Sequence, residues 1–345
     1  MDRNPRVGVI GATGYAGMEL VRLLLHHPKM DLTYLAGSRE RDEDFSELFV
    51  HLAHAPGTPV EAFDADQCAD RCDLAFVALP SGESGRIAGQ LFERGIRVVD
   101  LSGDLRLPPD IYQRWYDKVP VAAALQSAAV YGLTEFNGAK VATSKLVANP
   151  GCYATAALLA TKPLESAAFV DVSSPLVIDA KSGVTGAGRS VKPHLHFAEL
   201  EDDFYAYRVG SHQHTPEIEQ ALGHRFSVVL TTQLLPMSRG IFVSVYARLN
   251  SVPTFDDIYQ RYLNTYRDAP FVHVLKPGQL PHLKAVLGSN YAHIGLSLNE
   301  SSRLLQVFCA IDNLQKGAAG QALQNANRMF GFSDTEGLAA TSMWM

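Results

Sequence analysis

Residues 6–25 narrow the possible folds more than any other stretch of the chain. Arg6-Val7-Gly8-Val9-Ile10 is a short apolar strand that runs directly into Gly11-Ala12-Thr13-Gly14-Tyr15-Ala16-Gly17. Met18, Val21, Leu24 and Leu25 then recur at helical spacing on one face. Strand, glycine turn and helix form the context in which a main chain can wrap a diphosphate. Gly11 permits the tight turn, Gly14 lets the backbone approach a pyrophosphate, and Gly17 lets the helix pack close to the strand. The spacing is G-x-x-G-x-x-G rather than the commoner G-x-G-x-x-G.

The segments that follow extend the same architecture. Residues 32–37 read as a second strand, ending in Ser38-Arg39. NAD-preferring domains place an acidic residue near this point to bind the ribose hydroxyl, whereas a serine and an arginine suit a 2′-phosphate, so NADP is the expected cofactor. Residues 74–79 are a continuous apolar run of the kind buried in parallel sheets, stopped by Pro80-Ser81-Gly82. A helix through Phe92 and a strand over 96–101 complete a β-α-β-α alternation, the mark of a doubly wound sheet with ligand sites at the carboxyl ends of its strands. Arg106, in Ser102-Gly103-Asp104-Leu105-Arg106, lies at such an end and is placed to meet an anion.

Beyond residue 151 the strand candidates, 176–180, 227–232, 241–249, 293–298 and 304–311, carry polar residues at alternate positions. That pattern predicts an α+β domain with a mixed, largely antiparallel sheet and helices on one face. The expected division is residues 1–150 for the Rossmann-type domain, 151–315 for the α+β domain and 316–345 for a C-terminal helix returning to the first. Thr215-Pro216-Glu217 reads as a helix start, with Thr215 as N-cap and Pro216 at the first helical position.

The chemistry is expected at Asn149-Pro150-Gly151-Cys152-Tyr153, where a strand end meets a turn and a helix former. A cysteine at a helix start faces unpaired amides and the positive end of the dipole, which favour the thiolate. The other cysteines, 68, 72 and 309, have no such context and complete no metal-ligand pattern. A thiolate, a histidine base and a nucleotide fold together suggest hydride transfer through a thioester. His212 and His214 are candidates for the base. Each pair His194/His196 (with Glu199) and His212/His214 has an i, i+2 spacing that could ligate zinc from a strand, but thiolate chemistry needs no metal and none is expected.

Composition excludes other classes. The net charge of −6 comes with no basic tract, so no nucleic-acid partner is expected. No apolar leader and no run of membrane-spanning length is present, which points to a soluble, cytoplasmic protein.

Several stretches taken together resemble the N-acetyl-gamma-glutamyl-phosphate reductases, arginine-biosynthesis enzymes of the aspartate-semialdehyde dehydrogenase-like group. They are Gly11 to Gly17, Asp100 to Arg106, Tyr131-Gly132-Leu133-Thr134-Glu135, Asn149 to Tyr153, Ser182 to Arg189, His212-Gln213-His214-Thr215-Pro216-Glu217-Ile218, and Lys316 to Ala322. Their order along nearly the whole chain, more than any one of them, carries the resemblance.

It implies NADPH-dependent reduction of N-acetylglutamyl 5-phosphate to the 5-semialdehyde, with release of phosphate. Cys152 matches the nucleophile, and either His212 or His214 the acid/base. Substrate contacts are implied at Arg106, Ser182, Arg189 and Glu217. Cofactor contacts are implied at Gly11, Thr13, Gly14, Tyr15, Ala16, Gly17, Ser38, Arg39, Pro80, Ser81, Gly183, Gly186, Lys316 and Gly317. Ser81 stands where relatives commonly carry histidine, and Ala154 where proline is common. A homodimer or homotetramer is expected. The competing readings are an aspartate-semialdehyde dehydrogenase, a reductase of a carrier-bound aminoadipyl phosphate, and a non-catalytic NADP-binding sensor.

Overall fold

The computed structural model describes residues 3–37, 45–52, 58–342 and 344. They divide into two compact units, residues 1–150 with 318–339 and residues 151–317 with 340–345.

In the first unit β1 (Arg6–Ile10), β2 (Asp31–Gly37), β3 (Val60–Ala62), β4 (Leu74–Val77), β5 (Arg97–Asp100), β6 (Val130–Tyr131) and β7 (Leu146–Ala148) form one sheet, ordered β3-β2-β1-β4-β5-β7-β6. All its pairings among the described residues are parallel. Parallel neighbours need crossovers, and the helices Tyr15–Leu24 and Ser84–Glu93 supply two of them. Helices on the faces leave the central strands dry. All four residues of β4 are buried, which is why it reads as an unbroken apolar run. β1 lies between β2 and β4, so the strand order reverses there and opens a crevice at the carboxyl ends of β1 and β4. Cys68 and Cys72 are buried in the core of this unit and serve as packing.

The second unit holds β8 (Leu176–Gly183), β9 (Tyr205–Tyr207), β10 (Val228–Leu235), β11 (Ile241–Arg248), β12 (Val272–Val274), β13 (Ala292–Asn299) and β14 (Leu304–Ile311), ordered β12-β13-β14-β11-β8-β10-β9. β8 with β10 and β12 with β13 are parallel, and the other pairings are antiparallel. The expected mixed sheet is therefore present, with β8 and β10 each running about three residues beyond the end that the sequence pattern suggests, β13 one residue longer at each end, and β11 and β14 close to their expected bounds. Side chains alternate along β8: Leu176, Ile178 and Ala180 point inward, and Val177 points out.

The helix Cys152–Thr161 lies on the inner face, against β11 and β14. Every residue of it after Cys152 is buried, so its sequence is apolar all round rather than amphipathic. Leu158 and Leu159 alone, both fully buried, contribute about 1.5–3 kcal/mol each to holding it. Among the described residues no helix is long and apolar enough to cross a membrane.

Candidate active site

The glycine turn is built as its spacing demands. Gly11 has φ of +85°, and a Cβ there would lie 2.4 Å from the Ala78 carbonyl oxygen. A Cβ on Gly17 would lie 2.1 Å from the Gly11 oxygen, so only glycine lets the helix sit this close to the strand. Gly14 is the N-cap, in ordinary extended conformation, and no side chain caps this helix. The amides of Tyr15, Ala16 and Gly17 belong to its first turn, where no intrahelical acceptor exists, so the residues present fit a pyrophosphate. Thr13 borders the end of β2, near Gly37. Ser38 and Arg39, on which the NADP preference rested, lie outside the described residues.

The helix after β4 begins differently. The buried carboxylate of Asp104 accepts the Gly82 amide at 2.8 Å and the Gly85 amide at 2.8 Å, and it takes the Tyr112 hydroxyl at 2.7 Å. Its N-terminus is thus closed by the protein's own anion. Ser81 Oγ accepts the Gly103 amide at 3.2 Å and the Ser81 carbonyl takes the Lys118 ammonium, while Pro80 is exposed. Asp100 is fully buried against Ser84 and Ser102, and burial raises its pKa to about 6. Arg106 is 6% exposed, not a solvated surface arginine. Its Nε donates to the Asn149 carbonyl and one Nη to the Leu101 carbonyl, both at 2.8 Å, which fixes the plane of the guanidinium.

Cys152 is the first residue of its helix, with Gly151 as an N-cap that carries no side-chain cap. It is partly exposed, whereas Cys68, Cys72 and Cys309 are buried. Two side chains from a later helix, His214–Ala221, hold this turn. The Nε2 edge of His214 lies over Gly151: a Cβ on that glycine would come within 2.2 Å of Nε2. Glu217, 1% exposed, accepts the Gly151 amide at 2.8 Å, and its other oxygen is 4.0 Å from His214 Nε2. Gly317 packs from another side, its hypothetical Cβ 2.9 Å from Cys152 Cβ.

His212 and His214 do not lie on an extended segment as expected. They flank a turn in which the Thr215 amide donates to the His212 carbonyl, and their rings stand 4.7 Å apart. The helix starts at His214, so Thr215 is not its N-cap. His212 Nδ1 accepts the His214 amide at 3.2 Å, and the ring is boxed by Tyr153 and Tyr207. Burial, and next to it the neighbouring His214, lower the His212 pKa to about 2. The ring is therefore neutral at any working pH, with its proton on Nε2.

The remaining expected site residues lie as follows in the second unit. Lys316 is wholly buried, its ammonium 5.8 Å from the centre of the Phe271 ring. Gly183 is buried against the main chain of Met237 to Arg239, where a Cβ would approach to 2.8 Å. Ser182 is buried and bonds the Gly183 carbonyl. Gly186 lies in the short helix Val184–Ala187, and Arg189 is exposed beyond it. Glu217, expected at the substrate, is committed to the Gly151 amide. Neither histidine pair lies on a strand, and among the described residues no three His, Cys, Asp or Glu side chains cluster to hold a metal. The sequence assigns no role of their own to Asp104, Asn149, Tyr153 or Tyr207, although the first three lie within the stretches that carry Arg106 and Cys152. For Asn149 the adjoining Pro150-Gly151 turn was a usable signal.

Residues 6–144 match the family model for the NAD binding domain of semialdehyde dehydrogenase, and residues 152–313 that for its dimerisation domain. An N-acetyl-gamma-glutamyl-phosphate reductase of Brevibacillus brevis is 44% identical over 96% of this chain and 97% of its own. One of Bacillus subtilis is 41% identical over 98% and 99%. Among solved structures, aspartate semialdehyde dehydrogenase II of Vibrio cholerae complexed with ASA superposes with TM-score 0.73 at 16% identity, covering 96% of this chain and 99% of that one. The enzyme of Candida albicans with NADP gives 0.66 at 17%, covering 93% and 97%, and at such identities both attest the fold alone. Two semialdehyde dehydrogenase domains in sequence, a glycine turn made for a dinucleotide, a cysteine at a helix start and relatives alike over their full length place this chain in the N-acetyl-gamma-glutamyl-phosphate reductase family.

Proposed function

We propose that this protein reduces N-acetyl-L-glutamyl 5-phosphate to N-acetyl-L-glutamate 5-semialdehyde with NADPH, releasing phosphate, as a cytoplasmic step of arginine biosynthesis. The observation that carries the chemistry is the seating of His214 Nε2 over Gly151, directly before Cys152 at the helix start.

The helix terminus favours the Cys152 thiolate, which attacks the acyl-phosphate carbon. The carbon–oxygen bond to phosphate breaks, and a thioester on Cys152 remains. NADPH, when bound at the glycine turn, supplies hydride to the thioester carbon. His214 handles the proton: it gives one to the oxygen as hydride reaches the carbon and takes it back as the thiohemiacetal collapses, when the carbon–sulfur bond breaks and the aldehyde leaves with the thiolate restored. Glu217 holds the turn and faces the His214 ring at 4.0 Å. His212, fixed as the neutral tautomer, orients His214 through its main chain and is not the base. Arg106 holds the phosphate, being a buried guanidinium at the end of β5.

Self-association fits the second unit. Its helices cover one sheet face, while the other shows Val177 38% and Val229 48% exposed. We assign that face to a homodimer, which Val229→Glu should dissociate in light scattering. The function itself is tested by acyl-phosphate-dependent NADPH oxidation, with N-acetylglutamyl and aspartyl phosphates side by side. Turnover of the first is expected, and turnover of aspartyl phosphate alone would overturn the substrate assignment.

A further inference from the structure

The C-terminal helix Gly320–Met329 buries polar side chains that the mechanism above does not use. Gln321, Gln324, Asn325 and Asn327 are each 0% exposed. Buried amides are costly unless every donor and acceptor is met, so a row of them is retained only where their bonds specify something. Asn325 shows what. Its Nδ2 donates to the Gly132 carbonyl at 2.8 Å and to Asn149 Oδ1 at 3.0 Å, and its Oδ1 accepts the Thr134 hydroxyl at 2.7 Å. Gln321 donates to that same hydroxyl at 2.5 Å. Because a main-chain carbonyl can only accept, the Asn325 amide has one possible orientation. Gly132 is glycine for this contact: a Cβ there would lie 2.5 Å from Asn325 Nδ2.

Asn149 is fixed the same way. Its Nδ2 donates to the Ala318 carbonyl at 3.1 Å and its main-chain amide to the Asp100 carbonyl at 2.8 Å, which leaves Oδ1 facing Asn325. Its own carbonyl receives Arg106 Nε. A chain of directional bonds, all within the first unit, thus runs from Thr134 through Asn325 and Asn149 to the guanidinium.

We infer that Asn325 is a positioning residue for the reaction: acting through Asn149, it sets the aim of the Arg106 guanidinium toward the phosphate of the substrate. The inference rests on the reading of Arg106 as the phosphate holder.

The test is steady-state kinetics of the full-length enzyme. Asn325→Asp is isosteric but replaces the donors to Gly132 and Asn149 with an acceptor. We expect the KM for the acyl phosphate to rise tenfold or more, with the KM for NADPH and the rate of Cys152 alkylation unchanged. Adding Arg106→Lys should cost no more than Arg106→Lys alone, because both changes act on one contact. Should Asn325→Asp fold poorly, Thr134→Val removes only the hydroxyl that orients Asn325 and should give a smaller rise of the same kind, while Thr134→Ser should behave as wild type. Equal changes in both KM values, a loss confined to kcat, or additive effects in the double variant would make Asn325 merely structural and overturn the inference. A wild-type KM in Arg106→Lys would instead remove the phosphate role of Arg106 itself, and the inference with it.

Discussion

The turn at Gly11 to Gly17 and the turn at Asn149 to Cys152 share a plan: each follows a strand of the parallel sheet and ends in a helix that no side chain caps. The first is shaped by main chain. Gly11 and Gly17 clear each other and the Ala78 carbonyl, and the amides of Gly11 and Ala12 both donate to the Ala36 carbonyl. The second is held by side chains distant in sequence: Glu217 on the Gly151 amide and His214 over Gly151. An anion that binds through charge and backbone needs only a scaffold of the right shape. A sulfur that must be attacked from and protonated at one point needs groups fixed around it, and these come from elsewhere in the fold.

Cys152→Ser gives the largest effect that this contrast implies. A hydroxyl in the same place stays protonated, so turnover should vanish and no acyl-enzyme should appear by mass spectrometry, while NADPH binding at the backbone-built turn is unaffected. Retained turnover would show that a thiolate at the helix terminus is not the nucleophile.

The glycines separate the two turns further. An alanine at 151 meets the His214 ring, a side chain that can swing away, whereas an alanine at 17 meets the main chain of Gly11, which cannot. Gly151→Ala should lower kcat a hundredfold or more with little change in Tm. Gly17→Ala should cost about 1–3 kcal/mol of stability and weaken NADPH binding. The opposite pattern in melting and kinetic measurements would break the comparison.

A smaller effect is set by acid. His212 has its pKa depressed by burial, as have His27 and His293. Each binds a proton more readily unfolded than folded, so stability is full above the ordinary value of 6.5 and falls as pH drops below it. For His212 the slope approaches about 1.4 kcal/mol per pH unit, and His212→Asn should flatten that part of the denaturation profile.

Sequence legibility followed the same division. The glycine turn, the apolar run of β4 and the helix start at Cys152 are local patterns, and all are found where the spacing puts them. What was not legible depends on tertiary contact. The three-residue edge strands β9 and β12 have no run long enough to signal them. Thr215-Pro216 reads as a cap, yet the turn around His212 starts the helix two residues earlier. Lys316 carries a charge that ordinarily means solvent or phosphate, and only the structure shows it under Phe271. Glu217 and Asn325 are ordinary polar letters in helices until their partners, 66 and 176 positions away, are known.

The proposed reaction requires that His214, not His212, be coupled to the Cys152 thiol. Its most direct test is the pH dependence of Cys152 alkylation in the wild type, His214→Ala and His212→Ala. The predicted result is a raised apparent thiol pKa in His214→Ala, together with a 10²- to 10⁴-fold slower turnover, and a wild-type thiol titration in His212→Ala. A shift in His212→Ala alone, or in neither variant, would contradict the account.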